Sequence, residues 1–406
     1  MLNFPIILDK LIFLCLLIYS ITFLFTLPIN LFTTAFILGI LKLLFINKPT
    51  IKLNSKHFYF ISIFIFCTFL SIIFNTSSSI SSVQLLEYKS RFISPLMAIG
   101  LIFLFDFTYK RVLLLLSGFS FSLLLNAIIV IYQFFMQINK AGFRFTGFST
   151  EHYMFLAGIN LLILPIIFTL GLYHSKIPKS IKFLFMLTIL VNIPAIVFEN
   201  TRSVWIGLSI IFSLIIWFSF ENKIKSCLLI LSLFLYSTIC FQLSPASVQR
   251  FETISSTEYK IQSNYERLLM WKSAVNMFID SPITGVGISH YHEQYMQHYR
   301  SPLSREITYH PHNNILYLLA ETGILGGLSC FIMFIYFYVN TLKTYIKTKH
   351  IISLAYLMSL LGFTINSMID CVFCGYGLKD LTYLFWLLTG IYLIYNKYII
   401  VHYKTK

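Results

Sequence analysis

Charge is scarce in this chain. Only 11% of its 406 residues are charged, and 15 are acidic. A soluble domain carries about 25%, so a soluble enzyme is excluded. Strict alternation of apolar and polar residues is also missing. The apolar runs are continuous, which argues against a transmembrane β-barrel. The seven cysteines show no disulfide framework. Five lie in or beside apolar runs, and "CVFC" (Cys371 to Cys374) reads either as a disulfide or as packing. No internal repeat or low-complexity array is present, and no small-residue cleavage site follows the first apolar run. "HEQYM" at His292 starts like a zinc-protease motif but places Met296 where the second histidine belongs. No Asp-Asp pair or Cys/His cluster is evident, so neither a metal nor another cofactor is expected.

What is abundant is apolar and aromatic. Hydrophobic residues make up 57%, with 42 Phe and 25 Tyr. The expected fold is an all-α polytopic membrane protein of about twelve helices. The spans fall near 11–27, 31–46, 58–74, 92–106, 112–136, 153–173, 183–199, 203–220, 226–241, 323–341, 351–369 and 381–397. The net charge of +15 is unevenly placed. One set of alternate connections holds most of the basic residues, Lys48, Lys52, Lys176, Lys223 and Lys343 among them. The short connections of the other set hold only Lys89, Arg91, Lys140, Arg144, Arg202 and Lys379. The positive-inside rule then puts both termini in the cytoplasm. The excess charge is a topology signal, with lipids as its partner and no nucleic acid. Three regions follow: spans one to nine (1–241), a large external segment (242–322), and spans ten to twelve with a short basic tail (323–406).

The external segment reads as a helical periplasmic cap. "SNYERLLMWKSAVNMFIDSP" predicts a helix over 263–282, with Ser263 and Glu266 at capping-box spacing. Its apolar stripe is Leu268, Trp271, Val275, Phe278 and Ile279, set to rest on the membrane or on the bundle. Arg267, in the first turn, is either a snorkelling side chain or a ligand for an anion. Arg202, alone in the tight turn "ENTRSVW", is either a topology or lipid-headgroup contact or an anion ligand, its planar fork being suited to phosphate oxygens. In "FRFTGFSTEHYMF", Arg144 and Gly147 can shape a phosphate or sugar site, and Glu151 and His152 can do acid–base work; an ordinary polar loop is the alternative.

The densest polar signal is "YHPHNNILYLLAETGILGGL". His312 and Asn313 precede a short helix over 312–322, and Glu321 lies near its end. Gly323, Gly326 and Gly327 then allow close backbone approach. An imidazole here can accept a proton near neutral pH. His310 is expected to point elsewhere, because positions two apart do not share a helical face.

His312-Asn313, nine residues, Gly323, two residues and Gly326 resemble the signature of the O-antigen ligase family. "NTRSVWIGL" resembles its arginine turn, and "NYERLLMWKSAVNMFIDSPITGVG" the start of its periplasmic loop. The resemblance implies metal-independent, inverting transfer of a glycan from undecaprenyl pyrophosphate to an acceptor hydroxyl. Arg202 and Arg267 would hold the pyrophosphate and His312 would act as base, with Asn313, Arg144 and Glu321 in support. In a ligase the acceptor is the lipid A–core; in a polymerase of the same superfamily it is another glycan. A transporter is the reading from another class. It fits twelve spans but not the clustering of polar residues at one face.

Overall fold

The computed structural model describes residues 4–24, 28–45, 55–75, 81–138, 140–141, 144–148, 153–173, 176–254 and 262–404. Glu151 and His152 lie outside them.

Helices follow one another along the chain: α1 (Phe4–Thr22), α2 (Pro28–Leu43), α3 (Ser55–Ile73), α4 (Ser82–Tyr88), α5 (Leu96–Leu104) and α6 (Tyr109–Met136). A small antiparallel hairpin, β1 (Lys140–Ala141) with β2 (Arg144–Phe145), precedes α7 (Tyr153–Tyr173), α8 (Lys179–Phe198), α9 (Arg202–Ser219) and α10 (Lys223–Gln242). Next come α11 (Pro245–Glu252), α12 (Gln262–Asp280) and α13 (Tyr291–Gln294), then α14 (Asn314–Thr348), α15 (Ile351–Ser367) and α16 (Lys379–Lys404). The all-α class holds. Eight helices (α1, α3, α6 to α10 and α14) are long and apolar enough to cross a membrane, and α2 and α15 are shorter apolar helices. α7 is buried along nearly its whole length and packs against α15, α8 and α9 at the centre of the bundle.

One boundary differs from expectation. The span expected over 92–106 belongs to a longer helical run, in which a π-helical turn (Lys89–Ile93) joins α4 to α5. Arg91 on that turn is no loop charge. It is 1% exposed and pairs with Glu321, also 1% exposed, at 2.8 Å.

The segment between α10 and α14 has its own small core. Met270, Ala274 and Met277 of α12 meet Tyr291, Tyr295, Tyr317 and Cys371. The helix expected over 263–282 is present as α12. Of its apolar stripe, Leu268, Val275 and Ile279 are exposed and Trp271 and Phe278 half-buried, while Met270, Ala274 and Met277 of a neighbouring face are buried. Buried Glu266 and exposed Ser263 have partners other than a capping box. Glu266 accepts from the Ser304 hydroxyl (2.7 Å) and the Arg305 amide (2.9 Å), and the Ser263 hydroxyl accepts from Arg202 (2.7 Å).

α14 is broken at Gly323, whose φ of 59° and ψ of −158° end one helix and start the next. The break lets the 282–287 loop dock. Val286 and Gly287 donate to the carbonyls of Ala320 and Glu321 (2.8 and 3.1 Å), and Ile324 donates to Pro282 (2.8 Å). A Cβ on Gly323 would stand 2.3 Å from the Ile283 carbonyl oxygen, so no other residue fits. Cys371 and Cys374 are both buried and both free thiols.

Candidate active site

Two groups of residues make the site. The first is a cavity of about 310 Å³ whose lining includes Arg144, Arg202, Arg250 and Arg267. Each arginine comes from a different element, β2, α9, α11 and α12. The α8–α9 turn starts the arrangement. Asn200, at φ 57°, terminates α8, and Arg202 is the first residue of α9. Arg202 donates to the Thr253 carbonyl (2.9 Å) and to Asn264 Oδ1 (2.8 Å), which ties the turn to α11 and α12. Arg250 Nε donates to the Asn200 carbonyl at 2.8 Å. Arg144 lies 3.4 Å over the Tyr153 ring. Its loop is held to α6 by two hydrogen bonds between Gln133 and Gly147 (2.9 and 3.0 Å).

Among the described residues, no carboxylate lines this cavity. Its cations therefore feel one another. Burial lowers the Arg250 pKa first, and the charges of Arg144, Arg202 and Arg267 add to it, down to about 10. Burial also lowers Arg267, by more than the nearby Asp370 charge restores.

The second group stands beside the first. Ile369 lines the cavity, and Asp370 follows it. Asp370 is 2% exposed in its side chain and accepts from His312 Nδ1 (3.1 Å) and from the Cys371 amide (2.8 Å). Burial raises the Asp370 pKa, but the His312 hydrogen bond, the charges of both histidines and the Cys371 amide outweigh it, bringing the carboxyl down to about 2. When the His312 ring is neutral with its proton on Nδ1 facing Asp370, its Nε2 is an acceptor.

His312 does not begin a helix. Its φ is +52°, and α14 starts at Asn314 with Asn313 as N-cap. Asn313 Oδ1 takes the amides of Ile315 and Leu316 (both 3.1 Å), while its Nδ2 donates to the Met368 carbonyl (3.2 Å). Asn314 exchanges two hydrogen bonds with Phe373 (2.8 and 2.7 Å). The two asparagines thereby clamp the turn that carries Asp370. Because the chain here is not helical, His310 does not point away. Its ring lies 4.4 Å from that of His312, and its Nδ1 is 3.7 Å from Asp370.

Glu321 lies outside the cavity lining. It holds Arg91 and the Ser289 amide (2.9 Å), so its support reaches the site only through α14. Two residues escaped sequence reasoning. Arg250 looked like one of many charges in the external segment, and Asp370 like a loop acid after the eleventh apolar run. The grouping of His310, His312 and Asp370, with ligand-type atoms within 4.8 Å of one another, was equally unseen. Two imidazoles and a carboxylate are a set metals accept. Here the shared Asp370 oxygen is already taken by His312 and the Cys371 amide.

Residues 184–332 match the model of the O-antigen ligase family. The match shows an O-antigen ligase domain over that stretch. The matched stretch runs from α8 past the Gly323 break and contains Arg202, Arg250, Arg267 and His312. Three rickettsial proteins named as candidate polysaccharide ligases are similar. The protein of Rickettsia typhi is 27% identical over 71% of this chain and 68% of its own length. That of Rickettsia prowazekii is 28% identical over 67% and 65%, and that of Rickettsia conorii 26% over 65% and 68%. The alignments thus span about two-thirds of each relative. An O-antigen ligase domain accounts for a multi-pass chain whose polar residues gather beside an arginine-lined cavity. It also gives the family a chemistry of glycan transfer.

Proposed function

We propose that the protein transfers a glycan from undecaprenyl pyrophosphate to a lipid A–core hydroxyl at the periplasmic face of the bacterial inner membrane. One observation carries this reading: four arginines around one cavity, directly beside a His312–Asp370 pair. The donor's diphosphate occupies the cavity, where guanidinium forks meet its oxygens. The acceptor hydroxyl lies against His312 Nε2. As the hydroxyl oxygen bonds to the anomeric carbon, its proton passes to Nε2. The bond from that carbon to the diphosphate oxygen breaks, and its electron pair stays on the diphosphate. Attack from the face opposite the leaving group inverts configuration. The arginines stabilise the charge growing on the leaving group, and Asp370 stabilises the imidazolium. The names of the rickettsial relatives favour a ligase over a polymerase.

The test is deletion of the gene followed by gel analysis of glycolipids. Loss of polymer-capped lipid A–core, with polymer accumulating on the lipid carrier, is the expected result. Capping by single repeats indicates polymerase, and an unchanged pattern rejects both.

A further inference from the structure

Beyond the dyad, three aromatic rings from three distant segments stand in one row. His292 of α13 stacks on Tyr309 at 4.1 Å and 16°, and Tyr309 on Tyr376 at 5.1 Å and 12°. Tyr309 and Tyr376 remain 50% and 42% exposed. The row is fixed to the site by short links. His292 Nδ1 bonds the Thr308 carbonyl (2.8 Å). The Thr308 hydroxyl donates to the His310 carbonyl (2.7 Å) and accepts from the His310 amide (3.3 Å). Tyr376 shares the α15–α16 connection with Asp370.

We infer that Tyr376, with Tyr309 and His292 stacked behind it, presents its outer face as a sugar-binding platform that holds a pyranose of the acceptor next to the His312–Asp370 pair. The assignment rests on the transfer reading above. A pyranose has a face of C–H groups and a rim of hydroxyls. Aromatic faces carry negative quadrupole charge that attracts the former, and the tyrosine hydroxyls hydrogen-bond the latter. An acceptor whose reacting hydroxyl sits at His312 must extend its remaining sugars away from the diphosphate cavity. The row is built on the segments flanking both members of the pair. Exposed tyrosines also anchor membrane proteins at the lipid interface. That role needs only depth, not parallel rings fixed to the catalytic segment.

The experiment uses the full chain in lipid nanodiscs and lipid-free core oligosaccharide released from lipopolysaccharide. Saturation-transfer NMR reads sugar contact without requiring transfer. Binding should weaken roughly five- to tenfold in Tyr376→Ala and Tyr309→Ala, as expected for loss of an aromatic contact. It should persist in Tyr376→Trp and in His312→Ala. In transfer assays the acceptor KM should rise by the same factor in the alanine variants, with the donor KM within twofold. Thermal midpoints check that each variant folds. Wild-type binding in both alanine variants overturns the platform. Rescue by Tyr376→Leu assigns the rings to lipid anchoring and overturns it as well. Wild-type sugar binding without any transfer keeps the platform and sinks the transfer reading instead.

Discussion

The protein buries arginine in two opposite ways. Arg91 is 1% exposed and has a carboxylate partner: Glu321 sits 2.8 Å away, the Cys374 carbonyl accepts from Nε at 2.8 Å, and the Tyr317 ring lies 4.8 Å beneath. The four arginines of the cavity have backbone and amide oxygens, an aromatic ring and one another, and among the described residues no lining carboxylate. Gathering like charges in a partly dry space raises the energy of the empty protein. The arrangement makes sense if a multiply charged anion completes it. A buried pair such as Arg91–Glu321 completes itself, and so belongs to structure. The contrast separates an arginine paired within the fold from the arginines proposed to hold a ligand.

The largest effect tests the partner of the cavity rather than the cavity. His312→Ala should lower transfer by about 10²–10⁴-fold, the usual worth of a general base, in assays with purified protein, donor and acceptor. His310→Ala should be milder, because Asp370 keeps its closer partner at 3.1 Å. A greater loss in His310→Ala would reassign the base. Adding a chelator should leave the rate unchanged. Loss of activity that zinc restores would assign the three-residue grouping to a metal. Next in size is the self-contained pair. Glu321→Ala leaves the Arg91 charge buried and alone, which costs roughly 3–5 kcal/mol. Expression of folded protein, followed by size-exclusion chromatography in detergent, should fall sharply. Normal yield and thermal midpoint would show that Arg91 is not bound in the way described.

The split between fold and ligand was only half legible in the sequence. Long apolar runs announced the helices, and Arg202, Arg267 and His312 stood out as polar residues at the ends of such runs. The His-Asn and glycine spacing was equally readable, because Gly323 has a backbone that only glycine adopts easily. What stayed hidden depends on distance along the chain. Asp370 is 58 positions from His312 and meets it only because Asn313 and Asn314 clamp its turn. Arg250 reaches the cavity through one bond to the Asn200 carbonyl. Arg91 resembled a loop charge because its partner Glu321 lies far down the chain. The α12 stripe left its partner open for another reason. Periodicity finds an apolar face but not which face a neighbour covers, and here the neighbours chose Met270, Ala274 and Met277.

Arg202→Lys and Arg267→Lys sharpen the comparison by keeping charge and removing shape. Lysine is a point charge and cannot make a two-pronged contact to phosphate oxygens. Loss of one charge-assisted contact costs roughly 1.5–3 kcal/mol, or about ten- to a hundredfold in kcat/KM. Wild-type turnover in both variants would reduce the two residues to packing roles. Arg91→Lys, by contrast, should show its effect in folded yield before turnover, since its partners are protein groups.

The smallest effect addresses the empty cavity directly. If like-charge crowding is the cost of awaiting an anion, inorganic pyrophosphate should stabilise the ligand-free protein where sodium chloride of equal ionic strength does not. At ten times its dissociation constant a ligand adds about 1.4 kcal/mol, visible as a rise in thermal midpoint at a fixed scan rate. Arg250→Gln should cut that rise by more than half, since Arg144, Arg202 and Arg267 remain but one fork is gone. Its own midpoint without ligand should move little. Removing the charge relieves repulsion on a guanidinium already pushed down to about 10, while losing the 2.8 Å bond to the Asn200 carbonyl costs about as much as one neutral hydrogen bond. The two changes oppose each other in stability but act together in pyrophosphate response. An Arg250→Gln protein that responds to pyrophosphate as the wild type does would remove Arg250 from the anion site. It would leave its depressed pKa as a consequence of burial and crowding.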